Sequence, residues 1–189
     1  MSRLDTIKET TGLLRKNSIV LAGTVIAAII VLIGLLAPLV INQNVISNIN
    51  FGQKLLPMSS THILGTDALG RDLFMVMLIS TSYDLAAAAF ILIISSVIGI
   101  VLGSAAGFFS GKTDEVVMRI TDVFLAFPSL ILAMAVAAVL GRTLLNLMLA
   151  VTIVWWSAIC RLTRGQAIAE REKLYVDSLR VLGISKPRM

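Results

Sequence analysis

From Ser18 to Ile41 the chain runs without a charged side chain and with scarcely a polar one, and this stretch limits what the polypeptide can be. An α-helix rises about 1.5 Å per residue, so roughly 20 residues cross a hydrocarbon core of about 30 Å. The run therefore reads as a membrane span. Gly34 and Pro38 fall near its end, where neighbouring helices or interfacial water can satisfy the carbonyl that proline leaves free. It is too long for the hydrophobic region of a signal peptide and lacks a clear small-residue cleavage site, so the span is expected to stay in the mature chain.

Composition carries the same reading over the rest of the sequence. Apolar residues make up 57% and charged residues 14%, against about 45–50% and about 25% in soluble domains; mean hydropathy is +0.93. The predicted fold class is an all-α integral membrane protein with four transmembrane helices, at 18–41, about 85–109, 116–140 and 144–160. The second is the most apolar part of a longer helix from Asp72 to Phe109. Residues 1–17 form a polar tail, 42–71 a turn-rich loop outside the membrane, and 161–189 a soluble segment.

Several residues within this frame have a chemical reading and a structural one. Gly99, Gly103 and Gly107 recur every fourth residue, a small-residue ridge that admits a neighbouring helix closely in lipid. Arg119 and Asp122 lie one turn apart near the start of the third span and can pair with each other there. Phe127-Pro128 interrupts the middle of that span, because proline removes an amide donor and clashes with the carbonyl of Phe124; the kink can serve as a gate hinge or simply shape packing. Asp84 near the outer boundary of the second span is either functional or wet. The Asp67/Arg71 pair at i, i+4 predicts a helical turn leading into the long helix, Trp155 and Trp156 are expected as interfacial belt residues, and His62 as a loop hydrogen-bonding residue. One Cys and one His cannot build a metal or thiol-catalysis site, so no metal or other cofactor is expected.

Orientation follows from the cations. With the N-terminus inside, Arg3, Lys8, Arg15, Lys16, Lys112, Arg119, Arg161, Arg164, Arg171, Lys173, Arg180, Lys186 and Arg188 are cytosolic, and only Lys54, Arg71 and Arg142 are outside. That asymmetry satisfies the positive-inside rule for a multi-pass membrane protein with its N-terminus in the cytosol. The basic balance is a topology signal and not a nucleic-acid footprint, since the cations are not gathered on a soluble domain with interleaved aromatics. In the inner segment Ile168, Tyr175, Leu179 and Leu182 recur at helical spacing, and Gly183 and Pro187 follow. They predict an amphipathic helix ending at Leu182, free to lie on lipid, on its own bundle or in a groove of a partner.

Three motifs add a resemblance. Leu64-Gly65-Thr66-Asp67-Ala68-Leu69-Gly70-Arg71-Asp72, the stretch from Met118 through Phe127-Pro128 to Leu130, and Tyr175-Val176-Asp177-Ser178-Leu179-Arg180-Val181-Leu182-Gly183 occur in this order. Together they resemble the permeases of dipeptide, oligopeptide and nickel importers of the ATP-binding-cassette (ABC) class, over about His62 to Lys186. The last motif is similar to the first half of their EAA loop, with Asp177, Ser178 and Leu179 where Glu, Ala and Ala are usual. The resemblance implies that Tyr175, Asp177, Ser178, Leu179, Leu182 and Gly183 couple to a separate ATPase. It also implies a second permease subunit and an extracytoplasmic substrate-binding protein as partners, beside membrane lipid, and the transport of a small peptide or a nickel chelate. Family members continue with the rest of the loop and further spans, so the expected bundle, ending at Met189, is an incomplete type I permease. A channel or scaffold with a basic helix on anionic lipid is the alternative and needs none of these motifs. A membrane enzyme is disfavoured: the sequence holds no paired carboxylates with a His, no nucleophile elbow and no phosphate-binding Gly-Lys-Ser/Thr loop.

Overall fold

The computed structural model describes residues 17–184, apart from the side chain of Arg180. The polar tail with Arg3, Lys8, Arg15 and Lys16, and the terminal Lys186, Pro187 and Arg188, lie outside the described residues. The described chain is helical: α1 Ser18–Val40, α2 Leu73–Phe109, α3 Lys112–Leu125, α4 Ser129–Leu140, α5 Leu144–Arg171 and α6 Leu174–Val181. It divides into two compact units, up to Ala86 and from Ala87, with the first turns of α2 in the former and its remainder in the latter.

In the first unit Asn17 caps α1 by accepting from the Ile19 amide at 3.1 Å. Pro38 sits in the last turn, and the helix ends as Ile41 donates to the Ala37 carbonyl at 2.8 Å. Most of α1 is exposed apolar surface, the state expected of a helix whose solvent is lipid. Its buried points are Gly34 and Ala37, and at Gly34 an added Cβ would strike the Leu85 side chain and lie 3.5 Å from the Thr81 carbonyl.

The loop from Asn42 to Asp72 is ordered by polar chemistry. Two short 3₁₀ turns are capped by Asn42 and Asn50. Buried Thr66 accepts from the Leu56 amide at 2.8 Å and donates to the Gln53 carbonyl at 2.5 Å. Asp67 accepts from the amides of Leu69 and Arg71 and from Arg71 Nε at 2.7 Å, while Arg71 Nη1 reaches the Ile46 carbonyl at 2.8 Å. The Arg71 amide, helped by its guanidinium and the Leu69 amide, holds the Asp67 carboxyl below its ordinary range. Asp72 is lowered too: burial opposes ionisation, but the Met75 amide and the His62 ring, 2.8 Å away, outweigh it. The Asp67/Arg71 pair is thus present, but it closes a non-helical turn that ends on a single Thr66–Asp72 bridge, and α2 starts only at Leu73. Gly70, at φ +76°, allows this closure because a side chain there would run into the Asn50 carbonyl.

The second unit is built on α2 against α5. Ser95 donates to the Thr152 carbonyl at 3.4 Å. Added Cβ atoms would lie 2.9 Å from the Trp156 carbonyl at Gly99, against the Cys160 carbonyl at Gly103, and 2.6 Å from the Arg164 carbonyl at Gly107. Every four-residue step along α2 matches a four-residue step along α5, so the helices run parallel with the same rows interlocked. Two parallel spans can only be joined by a return crossing. That return is α3–α4: Asp114, Thr121 and Phe124 meet Arg164, Cys160 and Trp156 in reverse order, and α4 then lies along the first half of α5.

The return differs from the single kinked span expected over 116–140. Here α3 and α4 are bent by 88° at a short break. Pro128 has no amide to continue α3 and disfavours helical geometry at Phe127, so the chain leaves at Ala126 and restarts at Ser129. At 12 residues α4 is about 18 Å long, too short to cross alone, and α3 carries Asp114, Glu115, Arg119 and Asp122. The fourth helix also exceeds 144–160, continuing to Arg171. Trp155 is exposed, but Trp156 is buried against Phe124 with ring centroids 5.5 Å apart, so the latter is core rather than belt.

Replacing Gly103 tests this packing. Gly103→Ala should weaken the unit by about 1–3 kcal/mol, as overpacking does. Gly165→Ala, on the same bundle but with nothing within 4 Å of the added carbon, should be neutral or stabilising. Maleimide labelling of buried Cys160 during heating in detergent reads both, and equal labelling midpoints would mean that α2 and α5 are not in contact.

Candidate functional site

The C-terminal half of α5 carries the charges, and α3 supplies their partners. Arg164 makes a bidentate pair with Asp114, its Nη2 2.6 Å from Oδ2 and its Nε on Oδ1. Arg161 reaches Asp122, and Arg171 donates to Ser110 Oγ in the α2–α3 turn. The pairs are unequal. The Arg164 and Asp114 side chains are 32% and 21% exposed, whereas Arg161 and Asp122 are 53% and 55% exposed, where water screens the attraction. The predicted Arg119–Asp122 pair does not form among the described residues: Asp122 is engaged by Arg161, because the antiparallel approach of α5 offers a better-placed cation than the next turn of α3.

Beyond Arg171 the helix breaks at Glu172 and Lys173 and restarts as α6. The amphipathic helix expected as one element is therefore divided. Ile168 belongs to α5, where its amide lies near Gly107, while Tyr175, Asp177, Ser178 and Leu179 lie on α6 and Leu182 just beyond. Glu170 staples the break: Lys173 Nζ donates to its Oε1 at 2.5 Å and Tyr175 Oη to its Oε2 at 2.9 Å. Bonding to Glu170 raises both the Lys173 ammonium and the Tyr175 phenol above their ordinary values. Ser178 Oγ is spent on the Leu174 carbonyl at 2.9 Å, and Asp177 is exposed. Val176 is buried and Leu179 half-buried, while Tyr175, Val181 and Leu182 are 54%, 88% and 74% exposed. Gly183, at φ +73°, turns the chain directly after this apolar edge.

The other predicted residues fall elsewhere in the same unit. Gly99, Gly103 and Gly107 all face α5, and Phe127 and Pro128 stand at the α3–α4 bend, Phe127 exposed. Sequence reasoning missed Ser95, which extends the small-residue repeat by one step and was legible by its spacing. It also missed the Arg164–Asp114 pair, whose 50-residue separation leaves no local signal.

Three of the helices, or four spans if the bent α3–α4 pair counts as one, are long and apolar enough to cross a membrane, which defines a multi-pass membrane protein. Residues 99–189 match the family of the binding-protein-dependent transport system inner membrane component. The chain is 36% identical, over 92% of its length, to a probable D,D-dipeptide transport system permease protein of Escherichia coli (strain K12), covering 58% of that protein. It is 42% identical over 66% of its length to a glutathione transport system permease protein of Pectobacterium atrosepticum, covering 42% of it. An oligopeptide transport system permease protein of Bacillus subtilis is 31% identical over 93% of the chain and is covered over 57%. Residues 99–189 thus carry this family's inner membrane component, and the chain is a multi-pass membrane protein; it spans about half the length of these relatives.

A double-mutant cycle separates the two carboxylate pairs. Asp114→Asn with Arg164→Gln should show a coupling above about 1 kcal/mol in thermal unfolding, and Asp122→Asn with Arg161→Gln less than that. Equal couplings would contradict the difference in burial.

Proposed function

We propose that the chain forms part of the permease subunit of an ABC importer, in which α6 docks on a separate ATPase and the helical unit contributes to the path of a small peptide. The observation that carries the reading is α6 itself: a short helix set off from α5 by a stapled break, with Tyr175, Val181 and Leu182 exposed and a glycine turn after them. Exposed apolar side chains at the end of an ordered helix fit a partner groove better than water. Asp177, Ser178 and Leu179 complete the coupling helix, with Leu179 serving its inner face. The compounds for which the relatives are named, D,D-dipeptide, glutathione and oligopeptide, favour a peptide over a nickel chelate. A second permease subunit and an extracytoplasmic binding protein complete the proposed assembly, and ATP hydrolysis resides on the ATPase subunits.

The reading places the N-terminus and α6 in the cytosol and the loop around Met58 outside. A cysteine at exposed Met58 should react with an impermeant maleimide from the outer face while Cys160 stays silent. Labelling from the cytosolic face alone would invert the topology.

Docking is tested by co-purifying the ATPase with the assembled transporter. Leu182→Glu should reduce recovery by about tenfold or more, since a central apolar anchor is commonly worth upward of about 1–2 kcal/mol. Lys173→Ala should change it little, because an exposed charge is worth less. A helix lying on anionic lipid gives the reverse ranking, with losses at Arg171 and Lys173 dominating and sensitivity to salt.

A further inference from the structure

We infer that the Arg164–Asp114 pair is the positioning link through which a displacement of α6 reaches the α3–α4 bend at Phe127-Pro128; the inference rests on the coupling reading of α6. Three observations converge on Arg164. Its guanidinium holds Asp114 in the first turn of α3 through two parallel contacts, the geometry that fixes direction as well as distance. Its backbone carbonyl is the atom that Gly107 of α2 abuts, so the residue stands where α2, α3 and α5 come together. It also lies on the same continuous helix as Glu170, whose carboxylate staples α6 through Lys173 and Tyr175.

Force applied to α6 therefore enters α5 at Glu170. From α5 two ion pairs lead to α3, and burial decides between them. Arg161–Asp122 is more than half exposed and is free to exchange with water, so it slips under load. Arg164–Asp114 is mostly enclosed, bidentate, and backed by the α2 backbone. Downstream, α3 is one unbroken helix of 14 residues, Lys112–Leu125, with Asp114 in its first turn, and the break after it is where the chain lacks a continuing hydrogen bond. A rigid arm ending on a weak joint concentrates motion at the joint, so α4 changes angle while α3 and α5 move together.

The test uses the assembled transporter in liposomes with a cysteine at exposed Phe127; buried Cys160 does not compete for the label. The probe is maleimide, with its modification rate measured with and without ATP. In the parent protein ATP should change the rate by at least about fivefold, the low end of ordinary coupling factors. Arg164→Ala should abolish the ATP response while ATPase co-purification stays at the parental level, a separation that loss of folded protein would not produce. The charge swap Asp114→Arg with Arg164→Asp should restore the response, and Arg161→Ala should leave it in place. An ATP response that survives Arg164→Ala overturns the link, as does a parent protein that retains its ATPase but shows no response at position 127. Failure of the parent protein to retain the ATPase at all would instead remove the coupling reading, and the link with it.

Discussion

The second unit depends on how closely the backbones of α2 and α5 can approach. In lipid there is little hydrophobic gain from bringing two apolar helices together, because the acyl chains are as apolar as leucine. What remains is dense packing and the occasional polar contact, and both require short distances. Ser95, Gly99, Gly103 and Gly107 supply them by presenting almost no side chain along one row of α2. With these positions enlarged the helices would separate, and the pairs that α5 makes with α3 would lose their common support.

Polar groups are placed around this contact with an economy that the membrane imposes. Thr121 hydrogen-bonds back to the Val117 carbonyl and rests against Cys160, so two fully buried groups satisfy each other and the helix. The strong charges are kept to the end of the bundle, where Asp114, Asp122 and Ser110 receive arginines from α5. Polar order in the first unit is of another kind. Its loop contains few charges but many side-chain oxygens, and it spends them on backbone amides, so that Thr66, Asp67 and Asp72 hold a segment that has almost no regular secondary structure.

These arrangements give the α5–α6 end its character. The long α5 outruns the hydrocarbon thickness, at about 42 Å for its 28 residues, and so carries its last turns and their arginines beyond the apolar core. There α6 is held at its base by Glu170 yet leaves its far edge, Val181 and Leu182, uncovered. A helix anchored at one end and apolar at the other is the geometry on which the proposed docking rests.

The apolar helices and the glycine row were legible in the sequence because each is a one-dimensional signal: a run of apolar residues and a period of four. The family motifs were legible for the same reason. Other features depended on which helices meet. Asp122 has a cation three residues away in Arg119, but α5 delivers Arg161 to it from across the interface. Trp155 and Trp156 are neighbours in sequence, yet helical rotation sends one outward and the other beneath Phe124. Proline at 128 announced a disturbance of the third span; its size, 88°, is seen only with both helices in place. The sequence by itself determined a membrane-spanning helical chain with small-residue contacts and an amphipathic end. The tertiary structure decided the parallel pairing, the broken return and the partner of each charge, since these arise from contacts between residues some 40 to 60 positions apart.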